Sequence, residues 1–119
     1  MKAILHFKGR GIVIEGIKKC NVLGKAIGLM FKRREKASAL LFDFAKEGRH
    51  AIHSFFVFFP FLAIWLDGNN NISEYKIVHP FISLVLPKAS FLRLIEIPLN
   101  ERYRNVLLLI QSASRLPTG

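Results

Sequence analysis

Four histidines, one cysteine and eight carboxylates are the groups in this 119-residue sequence that could carry chemistry. His50 and His53 stand three apart, neighbours on a helix but on opposite faces of a strand, and the surrounding residues favour a strand, so they do not share a metal. Cys20 lies in "KKCN", where the flanking lysines would lower a thiol pKa. The same position suits a small residue at a strand–helix junction, and no Cys–His signature accompanies it. Asp67 precedes Gly68 and shapes a turn, while Asp43 in "LLFDF" is either an exposed strand position or a buried one that needs a partner. The "GKAIG" stretch lacks the lysine and hydroxyl spacing of a phosphate loop. The residues therefore predict no metal site and no cofactor, and they point away from an enzyme without excluding a small one.

The cations are more informative. Lys and Arg total 18 against 8 acids, a formal net charge of +10. Residues 1–50 hold 12 of the bases and 4 of the acids, so an anionic partner is expected to meet the N-terminal half first. Lys18, Lys19, Lys25, Lys32, Arg33, Arg34 and Lys36 flank a helix expected from about Val22 to Phe31, capped by Asn21, with Val22, Leu23, Ala26, Ile27, Met30 and Phe31 on one stripe. Such a face could contact nucleic-acid phosphates, lie against an anionic membrane surface, or simply keep an apolar domain in solution.

The elements that position these residues read mostly as strands. Phe55 to Leu66 runs twelve residues with no charge, shorter than the roughly 20 a spanning helix needs, with Pro60 in its middle, so no membrane span is predicted. In extended chain Phe61, Ala63 and Trp65 face one way and Leu62, Ile64 and Leu66 the other, a strand covered on both sides. Further strands are expected in "KAILHF" and "GIVIEGIKKC" around a "KGRG" turn, and in "ALLFDF", "RHAIHSFFVF", "ISEYKIV" and "FLRLIEIP". In "ISEYKIV", Ile72, Glu74, Lys76 and Val78 should share one face, and "NVLLLI" reads as a final buried strand. Eight or nine strands to one helix predict a mainly β single domain over 1–119, α+β at the margin. The expected architecture is a small antiparallel sandwich or barrel with one short helix packed on it and a polar tail from 111 to 119. A lone cysteine allows no internal disulfide, and "MKAILHFKGRG" has too short an apolar run for a signal segment, so a reducing cytoplasm is expected.

Eleven phenylalanines exceed what one small core readily hides. An exposed patch within Phe55–Phe61 is expected to serve as a protein-partner or weak homodimer surface.

Three stretches, "GLMFKR" at 28–33, "IHSFFVFFPFLAIWLDGN" at 52–69 and "VLPKASFLRLIEIPLN" at 85–100, resemble the bacterial and archaeal family called domain of unknown function 192. The resemblance spans about residues 10–110 and is carried by Gly28, Leu29, Met30, His53, Pro60 and Asp67, with Trp65, Glu96 and Pro98 in register. It implies a small β-sandwich with short helical elements and no established activity. Where many members resemble an Arg two residues before the proline and an Asp two after it, this chain has Phe58 and Leu62, so any polar site at that pair is expected to be lost. The leading expectation is thus a binding or accessory module acting through a protein or self-association surface, with nucleic-acid binding as the alternative.

Overall fold

Lys8 and Gly9 both adopt positive φ, 51° and 78°. This is the two-residue hairpin turn whose twist matches the strands it joins, and it links β1 (Ala3–Phe7) to β2 (Arg10–Ile14) in antiparallel register. The computed structural model describes residues 1–20, 33–50, 57–82 and 85–115. The expected helix at 22–31 lies outside them, as do Lys25, Lys32, Gly28, Leu29, Met30 and His53. The single strand expected over 11–20 is two. Gly16, at φ 68°, turns the chain out of the hairpin and into β3 (Lys18–Cys20), which pairs in parallel with another sheet.

That sheet has the order β3-β4-β7-β5-β6, with β4 at Leu40–Gly48, β5 at Phe61–Leu66, β6 at Ile72–Val78 and β7 at Phe91–Pro98. All its pairings other than β3–β4 are antiparallel. Every residue of β5 is buried, as a strand apolar on both faces must be. Phe61, Ala63 and Trp65 join one core cluster with Phe42, Phe44, Phe91 and Leu94. Leu62, Ile64 and Leu66 join the other, beneath the hairpin residues Leu5, Ile12 and Ile14. Each large apolar side chain among them contributes about 1.5–3 kcal/mol by leaving water, so the two faces of β5 anchor both layers.

β6 departs from strict alternation. A register shift between Trp65 and Leu66 places Ile72 with Tyr75 beside the hairpin-side core, while Val78 packs in the other. One extra residue in a strand moves everything beyond it to the opposite face, so Ile72 does not share a face with Val78 as expected. The turn before β6 is built by Asp67, whose Oδ1 accepts the Asn69 and Asn71 backbone N–H groups at 2.8 and 2.9 Å.

The closing strand expected at "NVLLLI" is a helix, α1, spanning Arg104–Ser114. It follows a 3-10 turn at Glu101–Tyr103. Val106, Leu107 and Ile110 press onto the hairpin-side core, at helical spacing. Residues 111–114 belong to this helix and not to a polar tail. The fold is therefore mainly β with a packed helix, in a different place from the one expected, and the described residues hold seven strands. The strand expected at 49–58 falls largely outside the described residues, and its last two, Val57 and Phe58, lie outside any strand. No helix of the described residues is long and apolar enough to cross a membrane.

Candidate nucleic-acid interface

Strand register brings distant segments to one end of the five-stranded sheet. Lys18, first in β3, pairs with Leu40, first in β4, and Leu40 pairs with Glu96 near the end of β7. Pro98, last in β7, pairs with Phe61, first in β5, and Phe61 pairs with Val78, last in β6. The segments running into or out of these positions, around 33–39, 57–60, 79–82 and 99–104, therefore converge. They bring Lys18, Arg33, Arg34, Lys36, Arg102 and Arg104 together, against the carboxylates Glu15, Glu35 and Glu101.

The convergence is hydrogen-bonded. The Arg34 Nε donates to the Leu99 carbonyl at 2.6 Å, and the Asn100 Nδ2 donates to the carbonyls of Arg34 and Ala37 at 2.7 and 3.1 Å. Arg102 Nη1 reaches the Ser38 hydroxyl at 3.0 Å. Tyr103, buried, accepts the Ala39 N–H at 2.7 Å on its hydroxyl and donates to the Gly16 carbonyl at 3.2 Å. The Arg102 guanidinium occupies the space a Cβ on Gly16 would take, but as the end of a flexible side chain it could swing aside, so it is the positive φ that favours glycine there.

Between the 3-10 turn at Arg34–Lys36 and α1 lies an open groove of 560 Å³, lined among others by Arg34, Asn100, Arg104, Leu107 and Gln111. Arg104 also pairs with Glu101 at 3.3 Å. Both side chains are well exposed, and an exposed pair of this kind holds its members weakly, so Arg104 can exchange Glu101 for a phosphate at little cost. Arg104 is moreover in the first turn of α1, which carries no acid, a place where the helix dipole favours an anion over a cation.

Of the residues the sequence singled out, Arg34 lines the groove and Lys18, Arg33 and Lys36 are exposed at the same end; Lys19 is exposed one residue into the edge strand. Arg102 and Arg104 were not anticipated. The signal for them was Asn100–Glu101 ahead of an apolar run, a helix start that would have placed "RYR" at an N-terminus.

The phenylalanine patch expected within 55–61 is divided. Phe59 and Phe61 are core residues, Phe55 and Phe56 lie outside the described residues, and Phe58 is 58% exposed. Its ring meets that of Phe81, also 58% exposed, edge to face with centroids 5.7 Å apart. Leu62 is buried against the hairpin-side core, so Phe58 and Leu62 occupy separate environments.

Other chemistry-bearing groups are spread out. His50 stacks on Phe44 with centroids 4.4 Å apart, Cys20 packs against the core cluster that contains Trp65, and Glu96 is buried on β7. Asp43 is half-buried and opposes Arg93 across the strands at 3.4 Å. Desolvation raises the Asp67 pKa, but hydrogen bonds from Asn71 and Asn69 and the charge of Arg93 outweigh it and hold the carboxyl below its ordinary value. Among the described residues, no three His, Cys, Asp or Glu side chains gather as a metal site would need.

No protein-family model matches the chain, and no curated protein matches it. Two solved structures share its fold. A protein of unknown function from Novosphingobium aromaticivorans superposes with a TM-score of 0.69 at 13% identity, over 90% of this chain and 77% of that one. A Sinorhizobium meliloti protein, provisionally described as a transcription regulator, gives 0.72 at 13% identity over 88% and 83%. At that identity the likeness is one of fold.

Proposed function

We propose that the chain is a non-enzymatic binding module that engages the phosphate backbone of nucleic acid at the end of the sheet where Lys18, Arg33, Arg34, Lys36, Arg102 and Arg104 converge. The observation that carries this reading is the meeting of three segments remote in sequence, tied together by Arg34 on the Leu99 carbonyl and by Tyr103 between Gly16 and Ala39. Clustered cations displace the counterions condensed on a nucleic acid, and that release supplies most of the sequence-independent affinity. The regulator described for Sinorhizobium meliloti is consistent with such a ligand. A cytoplasmic location belongs to the same proposal.

The resemblance to domain of unknown function 192 is part of this reading and is supported by the mainly β fold it implied. It adds no activity. Phe58 and Leu62, in separate environments, lend no polar site to the place where family members resemble an Arg–Asp pair.

Fluorescence anisotropy with labelled single-stranded RNA and duplex DNA, between about 50 and about 200 mM salt, tests the proposal. Micromolar or tighter binding that persists at the higher salt and weakens at least tenfold in an Arg33→Glu, Arg34→Glu double variant is expected. Absence of binding, or binding indifferent to the double variant, would refute it.

A further inference from the structure

Between α1 and β6 the hairpin-side layer leaves a hollow of 400 Å³, walled by Leu62, Leu99, Leu107 and Ile110. Phe7, at the tip end of the hairpin, meets the Tyr75 ring edge to face with centroids 5.7 Å apart. Ile77, two residues further along β6, lines the hollow and stays 48% exposed, so the cover supplied by the hairpin ends between the two.

The two ends of the hollow differ in chemistry. At one end Leu62 opposes Ile77 across the strands, and the Leu99 N–H donates to the carbonyl of Pro60, the residue before β5, at 3.1 Å. Leu107, in the first turn of α1, completes this apolar end. At the other end Lys8 donates to the Ser114 carbonyl at 3.0 Å, and Lys8 follows the Phe7 that packs on Tyr75, so Tyr75, Ser114 and Arg115 gather there. Arg115 is the only charged residue of the lining. Neither its guanidinium nor the Tyr75 hydroxyl has a hydrogen-bond partner among the described residues.

This polarity selects the ligand. A guanidinium binds a carboxylate through charge-assisted hydrogen bonds, and a phenol hydroxyl adds a further donor. A bare inorganic anion would leave the apolar end in water, and an amine would meet Arg115 as a like charge. The volume falls within the roughly 300–1,000 Å³ of small-molecule pockets, which combine an apolar lining with a few convergent polar groups.

We infer that the hollow between α1 and β6 is a binding site for an amphipathic monocarboxylate, of the class of medium-chain fatty acids. The carboxylate sits on Arg115 and Tyr75, and the tail lies against Leu62, Ile77, Leu99 and Leu107. The site goes beyond the phosphate-binding reading and does not rest on it.

The test is isothermal titration calorimetry of the full chain with octanoate, hexanoate, acetate and octylammonium at one ionic strength. Octanoate is expected to bind with a submillimolar Kd and to raise the melting temperature. Hexanoate should bind about 10-fold more weakly, because two methylenes fewer leave water, and acetate and octylammonium should not bind measurably. Arg115→Gln should weaken octanoate by about 10-fold to 100-fold and Tyr75→Phe by about 2-fold to 10-fold. Arg34→Gln, which removes the same charge at the sheet end, should leave octanoate affinity close to that of wild type. Without ligand both pocket variants should melt as wild type does, since Arg115 is exposed and Tyr75→Phe keeps its ring, which separates lost binding from lost folding.

Indifference to chain length, or equal losses from Arg34→Gln and Arg115→Gln, would show that octanoate responds to net charge alone and would overturn the site. A wild type that binds no octanoate would overturn it too. Binding that then appears in Leu116→Ser would assign the hollow to the end of the chain itself, and a dimer that Ile77→Ser dissociates in light scattering would assign it to a second copy. None of these outcomes bears on the phosphate reading, which is decided by nucleic acid and by Arg33 and Arg34.

Discussion

At the scale of single residues, Tyr103 does most to hold the arginine-rich end together. Its hydroxyl is shared between two backbone groups, the Ala39 N–H and the Gly16 carbonyl, which belong to the segments entering β4 and β3. Ala39 also accepts the Lys18 N–H on its carbonyl, so one buried oxygen fixes the start of the parallel pair. Removing that oxygen leaves the buried Ala39 N–H and the partly buried Gly16 carbonyl without it, a loss of about 1–3 kcal/mol, most of it from the N–H. Tyr103→Phe is therefore expected to lower the urea midpoint at an unchanged denaturant slope, since the ring and its burial are retained. An unchanged midpoint would mean that the hydroxyl is not the tie. Gly16 and Arg102 form the complementary feature: the glycine supplies the positive φ that redirects the chain, and its missing side chain supplies the space the guanidinium fills.

At the scale of elements, the stability of the layered core depends on α1 being a helix. A strand over 105–110 would bury Val106, Leu108 and Ile110, whereas the helix buries Ile110 and Ala113 and leaves Leu108 and Leu109 about half exposed. Ile110→Ala should destabilise by about 2–5 kcal/mol, and Leu108→Ala by no more than about 0.5 kcal/mol, measured by thermal unfolding under circular dichroism. A large effect of Leu108→Ala would restore the strand. The same contrast shows which parts of the fold were legible beforehand. β5 announced itself because six alternating apolar residues must be covered on both faces, and their partition into two cores follows the alternation residue by residue. "NVLLLI" did not, because an unbroken apolar run of that length has no period to distinguish strand from helix. Ile72 was misassigned by a register irregularity that depends on the pairing partner, and local sequence does not encode it. For the site, the basic run at 33–36 was visible as composition. Its continuation through Arg102 and Arg104 was not, because only strand register brings residues some 65 positions apart in sequence to one end of a sheet.

At the scale of the whole molecule, a net charge of +10 attracts any polyanion, and attraction alone does not locate an interface. Salt dependence does. Each phosphate contact on a single strand contributes about 0.7 to the slope of log affinity against log salt, so Arg102→Gln with Arg104→Gln should reduce that slope by about 1.4. Lys46→Gln with Lys88→Gln removes the same charge far from the converging segments: Lys46 follows the start of β4 by six residues, and Lys88 precedes β7. If the sheet end is the binding face, that control leaves the slope unchanged and lowers affinity only slightly through the long-range field, which screening limits to about 8–10 Å at physiological salt. If both pairs reduce the slope equally, the charge acts as a diffuse cloud around an apolar domain, and the convergence of Arg33, Arg34, Arg102 and Arg104 reflects the topology of the fold and not the footprint of a nucleic acid. The comparison needs no knowledge of the natural sequence bound, because a counterion count is the same for every backbone the face can grip.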